Sequence, residues 1–276
     1  MTAHTPKPQI DTSKPHPARV YDWLLGGKDN YPVDQALGKS LPSMMVDGAR
    51  HNRAFMNRAV AWLAAERGID QFLDIGTGIP TVPNLHQVAQ GIRPRTRVVY
   101  ADNDTIVLRH AEALMSGTEE GETDYIQADV RDPQGILEPA RRVLDFGRPV
   151  ALSLIALMHF IPDSDGPYEI VQTYLDALVP GSYLVLSHGT FDFHPELRDK
   201  VTGDYGQGGI ELVPRSHKEV LGFFQRRLTL VAPGLVTAPR WRPGFATPPS
   251  PVPAPMSSGP SAMYAGVAVV GDRDAA

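Results

Sequence analysis

Residues 72–81 read FLDIGTGIPT, and the fold turns on how they are read. Phe72, Leu73 and Ile75 form a short apolar run with one acid, Asp74, set inside it. Gly76 and Gly78 follow, and glycine lets a backbone turn sharply and come close to a ligand. A strand that runs into a glycine turn and then a helix is how nucleotide-binding α/β domains begin. The departure is proline. Pro80 and Pro83 stand where the first turn of the following helix is expected, over 81–90, with Val82, Leu85, Val88 and Ala89 facing inward.

The segments downstream keep the same rhythm. TRVVYAD (96–102), TDYIQAD (123–129), PVALSLIAL (149–157) and SYLVLSHG (182–189) read as strands. The helices between them are DTIVLRHAEALM, with Asp104 as N-cap, PQGILEPARRVL and PYEIVQTYLDALVPG. The continuously apolar PVALSLIAL marks a central strand buried on both faces. This alternation implies a parallel sheet with right-handed crossovers, a Rossmann-like, doubly wound α/β fold. After Gly189 the regularity weakens. SHKEVLGFFQR reads as a helix capped by Ser216, and LTLVAPGLV and MYAGVAVV read as strands. The proline-rich excursion at 237–261 between them is neither helix nor central strand.

Upstream, residues 1–17 are polar and proline-rich and read as a flexible tail. Residues 18–68 read as an N-terminal helical cap or lid. ARVYDWLLGG places Val20, Trp23 and Leu24 on one face, and ARHNRAFMNRAVAWLAAERG keeps Phe55, Ala59, Trp62 and Leu63 on another. Residues 69–276 form the sheet domain.

Composition narrows the function. The chain has 276 residues, 42% hydrophobic and 21% charged, as suits a globular core. A net charge of -5 with no long basic run argues against nucleic acid as partner. The absence of cysteine rules out disulfides and thiolate metal sites and suits a reducing cytoplasm. No apolar run is long enough to span a bilayer, the first residues lack a signal-peptide core, and no ligand spacing for a metal is found. Arg226, Arg227, Arg240 and Arg242 gather near Trp241, and a solvated strand edge accounts for them better than an anion site.

The glycine turn suits a particular ligand. A dinucleotide site holds its pyrophosphate with backbone N–H groups at a helix N-terminus, and proline has none. A nucleoside without phosphate loses little there, and S-adenosylmethionine is one. Asp102, at the end of the second strand, is placed to accept both ribose hydroxyls. Asp129, at the end of the third, is placed to accept the adenine amino group, with the Val130 N–H facing a ring nitrogen.

These stretches resemble a known family. LDIGTGIPT, VVYADND, ADVRD and LMHFIPD, in this order, resemble the class I S-adenosylmethionine-dependent methyltransferases. More narrowly, ARVYDWLLGGKDNYPVD and ARHNRAFMNRAVAWL are similar to an actinobacterial S-adenosyl methyltransferase family of unassigned substrate. The resemblance implies a seven-stranded sheet ending in an antiparallel hairpin. It also implies cofactor contacts at Asp74, Gly76, Thr77, Gly78, Asp102, Asn103, Asp129 and Val130, with Ile155 at the end of the fourth strand. It implies a methyl acceptor, expected to be a small molecule, and supplies no name for it. A catalytically silent S-adenosylmethionine binder on the same fold is the alternative.

Methyl transfer from a sulfonium needs in-line alignment, and a base only when the acceptor arrives protonated. His159, in LMHFIP, is the candidate base, and the competing reading is a loop histidine satisfied by the backbone. His188 is a second candidate. In LLGGKDNY, Lys28, Asn30 and Tyr31 read either as a lid over the cofactor or as a helix cap and turn, with Arg53 as a partner for the cofactor carboxylate.

Overall fold

The computed structural model describes residues 11–107, 117–254 and 261–272. Its strands are β1 (Gln71–Ile75), β2 (Arg97–Asp102), β3 (Glu122–Gln127), β4 (Ala151–Ile155), β5 (Tyr183–Gly189), β6 (Leu228–Leu230), β7 (Val236–Thr237) and β8 (Met263–Val270). They form one sheet in the order β3-β2-β1-β4-β5-β8-β6, and the two-residue β7 pairs with β8 off this path. β1 to β5 run parallel, and β8 runs antiparallel to β5, β6 and β7. The seven-strand path matches the expected sheet. The strand expected over LTLVAPGLV is cut in two, because Pro233 has no N–H for a ladder and Gly234 turns at φ +88°.

The helices are α1 (Pro17–Leu24), α2 (Pro32–Ser40), α3 (Ser43–Glu66), α4 (Leu85–Gln90), α5 (Pro133–Ala140), α6 (Pro167–Asp176), α7 (Arg198–Gln207) and α8 (His217–Leu221). Two apolar layers sandwich the sheet, and the period-two alternation of each strand sends neighbours to opposite layers. Leu73 joins Leu152, Ile136 of α5 and Tyr174 of α6 on one face. Phe72 joins Phe55 and Trp62 of α3 and Val88 of α4 on the other. Ala151 to Leu154 are all buried, as a central strand requires.

A third apolar cluster holds the N-terminal helices. Val20 and Leu24 of α1 and Leu37 of α2 pack with Val201 and Tyr205 of α7. The sequence reading missed α7: only two buried residues mark its inner face, and Gly203 and Gly206 interrupt it. Of the expected tail, residues 1–10 lie outside the described residues. His16 is held by its N–H, which donates to Asp34 Oδ1 at 2.9 Å, and Pro17 opens α1.

The helix expected over 81–90 begins only at Leu85. Asn84 and Gln87 form a reciprocal capping box there, so the turn before it stays open and Val82 is 55% exposed rather than buried. The helix expected after Asp104 is described only at residues 105–107, where Asp104 Oδ1 accepts from Ile106 N at 2.8 Å; the rest lies outside the described residues.

Trp241 anchors the described part of the proline-rich excursion. It is fully buried, edge-on to Phe55 at 5.4 Å and to Trp62 at 5.8 Å. Arg58 donates to the Trp241 and Ala238 carbonyls at 2.8 and 2.7 Å. Two members of the arginine cluster serve the fold. Arg242 lies over Trp62, and Arg227 donates to the Leu175 carbonyl in the last turn of α6 and to the Leu178 carbonyl just beyond it. Ser216 caps α8 as expected, in a box with Glu219 whose Oε2 accepts from Ser216 N at 2.8 Å. Ser216→Ala is expected to lower the unfolding free energy by about 1 kcal/mol, read from urea denaturation.

Candidate active site

β1 ends at Ile75, and the chain turns through Gly76 and Gly78 at φ +74° and +66°. A Cβ built on Gly76 would lie 2.7 Å from a methyl of Leu157, so the close approach of these two loops requires glycine. The turn is fastened to β2. Gly76 N donates to Ala101 O at 2.8 Å, and Gly78 N donates to Asp102 Oδ2 at 2.8 Å. Asp102 Oδ1 accepts from Asp104 N at 2.9 Å. Burial pushes the Asp102 carboxyl above its ordinary range, against these two amides.

Two further acids nearby are shifted in opposite directions. Burial pushes Asp74 up to about 6, opposed by the Ser153 hydroxyl and by Arg53. Asp129 is held down at about 2 by Arg131, whose Nε and Nη2 donate to its two oxygens at 2.8 and 2.7 Å. Asn103 Nδ2 adds a bond at 3.1 Å.

A cavity of about 340 Å³ opens over these strand ends, within the range of small-ligand sites. It lies beside the junction of β1 with β2 and β4, where the strand order reverses and open α/β sheets bind ligands. Asp74, Gly76, Thr77, Gly78 and Asp102 line it, and so do Asn103, Asp129, Val130, Ile155 and Arg53. The structure thus gathers ten of the fourteen residues singled out from sequence for the cofactor and as first candidate base.

Four stand elsewhere. Lys28, Asn30 and Tyr31 are off the cavity wall. Asn30 Nδ2 instead donates to Asp22 Oδ2 at 2.7 Å and to Gly27 O at 3.1 Å, Tyr31 caps α2, and Lys28 is exposed, which is the cap-and-turn reading. The N-terminal wall comes from earlier in the chain, Pro15 to Ala18 and Tyr21. No glycine, acid or spacing signals these residues in the sequence.

His159 is the fourth. It is buried, and its Nδ1 accepts from Gly189 N at 3.1 Å. Burial, with His188 and Arg215 close by, holds it well below the ordinary histidine range, so it stays neutral. His188 is likewise committed, with Nδ1 donating to Gly189 O at 2.8 Å and Nε2 accepting from Arg215 at 3.0 Å; its pKa falls to about 3 through burial. Arg215, which the sequence did not single out, also donates to the Met158 and Ile161 carbonyls and to Asp163. These groups fix the loop after β4. His159→Leu is expected to cost about 1–2 kcal/mol of stability, the scale of one buried hydrogen bond. Cofactor affinity measured by calorimetry should stay unchanged.

The turn is a poor phosphate cradle, for a reason that differs from the sequence expectation. Pro80 and Pro83 precede α4 instead of opening it. Three nearby amides are already engaged: His86 N donates to Tyr100 Oη at 2.8 Å, Asn84 N to Gln87 Oε1 at 2.7 Å, and Gly78 N to Asp102. Arg53 Nη2 donates to the Thr81 and Pro83 carbonyls and so pins the loop.

Comparison with known proteins agrees with this geometry. Residues 3–271 match the S-adenosyl methyltransferase family. A DUF574 family protein from Streptomyces avermitilis is similar at 44% identity and TM-score 0.87, over 95% of this chain and all of that one. A candidate methyltransferase from Thermobifida fusca is similar at 38% identity and TM-score 0.83, over 98% of this chain and all of that one. An S-adenosylmethionine-dependent methyltransferase from Anabaena variabilis shares the fold alone, at 14% identity and TM-score 0.52 over 95% of this chain and 98% of that one. No curated protein matches the chain. No helix among the described residues is long and apolar enough to cross a membrane. With its doubly wound sheet and a cavity over the strand ends, the chain belongs to the S-adenosyl methyltransferase family and is an S-adenosylmethionine-dependent methyltransferase.

Proposed function

We propose that the cavity holds S-adenosylmethionine with its ribose hydroxyls on Asp102, its adenine at Asp129 and Val130, and its amino-acid end at Asp74 and the Gly76–Gly78 turn, and that the acceptor is a small molecule. The observation that carries this reading is the commitment of the turn's polar groups. Pro80 and Pro83 carry no N–H, and Gly78 N, Asn84 N and His86 N are spent within the protein, so the turn is a poor amide cradle for a diphosphate.

Charge points the same way. Asp74, Asp102, Asp129 and Glu211 line the cavity. The two arginines beside them are engaged, Arg53 with the Thr81 and Pro83 carbonyls and Arg131 with Asp129 and Asp165. Such a lining favours a ligand carrying a sulfonium and an ammonium over an anion. When bound, this cofactor supplies a methyl group activated by the positive sulfur.

The chain's own part is to seat, orient and exclude water. Phe160, Ile161 and Ile210 give the cavity an apolar wall beside the loop after β4, a seat for a small acceptor. His159 Nδ1 is taken by the Gly189 N–H, and His188 by the Gly189 carbonyl and Arg215, so positioning rather than a histidine base carries the transfer. Incubation with methyl-labelled cofactor and a metabolite extract is expected to move label onto a small molecule. Intact cofactor binding with label found only on macromolecules would contradict this assignment of the acceptor.

Asp74 gives the binding a pH dependence. Its folded pKa of about 6 means that the free protein keeps this carboxyl protonated below pH 6. Pairing with the ligand ammonium must expel that proton. S-adenosylmethionine affinity is therefore expected to rise about fivefold from pH 5 to 6 and about twofold more by pH 7, then level off, with proton release seen by calorimetry in two buffers. Asp74→Asn should flatten the profile.

A further inference from the structure

Tyr21, Asn52 and Ala156 line the cavity from three separate elements, and one chain of hydrogen bonds joins them. Ala156 N donates to Ser187 Oγ at 2.9 Å, and Ser187 Oγ donates to Asn52 Oδ1 at 2.5 Å. Asn52 Nδ2 donates to Tyr21 Oη at 2.8 Å, and Tyr21 Oη donates to Ala49 O at 3.1 Å. Each role is forced. A backbone N–H stands at one end and a backbone carbonyl at the other, so the hydroxyls and the amide between them have one consistent direction. Asn52 and Ser187 are buried, at 1% and 0% exposure, so water does not substitute for a lost partner.

The chain ends on strained backbone. Ala156 sits at φ +54°, a left-handed conformation that a residue with a Cβ rarely adopts. Its N–H is shared between Ser187 Oγ and Ser187 O, the latter at 3.3 Å, which holds it there. The next residue is Leu157, whose methyl fills the space in front of Gly76. The relay thus runs from the N-terminal wall, through α3 and β5, to the residue that backs the glycine turn.

We propose that Asn52 is a positioning residue for methyl transfer: through Ser187 and Tyr21 it locks the N-terminal wall and the loop after β4 to each other, so that both sides of the cofactor seat are set together. It acts through its neighbours and performs no chemistry. The inference rests on the reading that this cavity binds S-adenosylmethionine, which the wild-type titration tests separately.

The test is a double-mutant cycle on the whole protein with Tyr21→Phe and Ser187→Ala, each of which deletes one oxygen and leaves the packing in place. The readout is the S-adenosylmethionine Kd, with Tm recorded alongside. Tyr21 and Ser187 have no hydrogen bond with each other and are joined only through Asn52. Each single change is expected to raise Kd about fivefold, the scale of one lost hydrogen bond, and the double change to raise it about fivefold as well, because the relay is already broken. Asn52→Ala should reproduce the double variant's Kd. Multiplicative effects, near twenty-five-fold for the pair, would overturn the proposal. So would an unchanged Kd with a lowered Tm, which is what a merely structural role gives.

Discussion

Gly76→Ala is expected to cost roughly 2–5 kcal/mol, divided between fold stability and cofactor affinity. Two causes add. At φ +74° an alanine Cβ crowds its own carbonyl, which costs roughly 1–2 kcal/mol. The new methyl also lies 2.7 Å from Leu157 Cδ1 and 3.0 Å from its Cγ, so the whole isobutyl group must leave the cavity wall. Such overpacking costs roughly 1–3 kcal/mol. The two shares are separable. Gly76→Ala combined with Leu157→Ala removes the collision and keeps the φ strain, so affinity should recover only in part. Calorimetric titration with S-adenosylmethionine and urea unfolding of the same samples measure the division. An affinity for Gly76→Ala equal to wild type would mean that the turn does not touch the cofactor.

Asp102→Ala is expected to weaken S-adenosylmethionine binding by roughly 1.5–3 kcal/mol, from tenfold to about a hundred and fifty-fold, the scale for hydrogen bonds to a charged group. The carboxylate ends β2 and accepts Gly78 N and Asp104 N. Its removal takes away the proposed ribose acceptor and also frees the turn from β2, so the loss should sit near the top of that range. Asp102→Asn keeps the shape and one acceptor oxygen and should fall between wild type and alanine. A folded Asp102→Ala protein that binds with undiminished affinity removes the residue from the site.

The residues that announced themselves in the sequence are those whose role is fixed by backbone geometry. Gly76 and Gly78 turn at positive φ, Asp102 closes its strand, and Asp129 stands two residues beyond β3. Strand periodicity and glycine chemistry are local, so a short stretch suffices to place them. Val88 and Ala89 face inward as their spacing implies, whereas Val82 does not, because the Asn84–Gln87 capping box starts the helix at Leu85, four residues past the expected start at Thr81. His159 shows where local reading stops. A histidine in the loop after the fourth strand has the right type and place for a base, but the Gly189 amide that claims its Nδ1 comes from β5, 30 residues away. Arg215 was silent for the same reason, since its partners Met158, Ile161 and Asp163 lie more than 50 positions upstream. Lys28, Asn30 and Tyr31 read equally as lid or as cap and turn because they look polar and available. Asn30 in fact closes a turn onto Asp22, and the prolines at 15 and 17 carry no chemical signal of the wall they form.

The most direct measurement is a crystal structure of the protein with S-adenosylhomocysteine, paired with a calorimetric titration of NAD. The expected result is a ligand with both ribose hydroxyls on the Asp102 carboxylate, its adenine amino group at Asp129, its amino-acid end beside Asp74 and Gly76, and no heat from NAD. A ligand whose ribose avoids Asp102, or a dinucleotide whose pyrophosphate lies across the turn from Gly76 to Pro80, would contradict it.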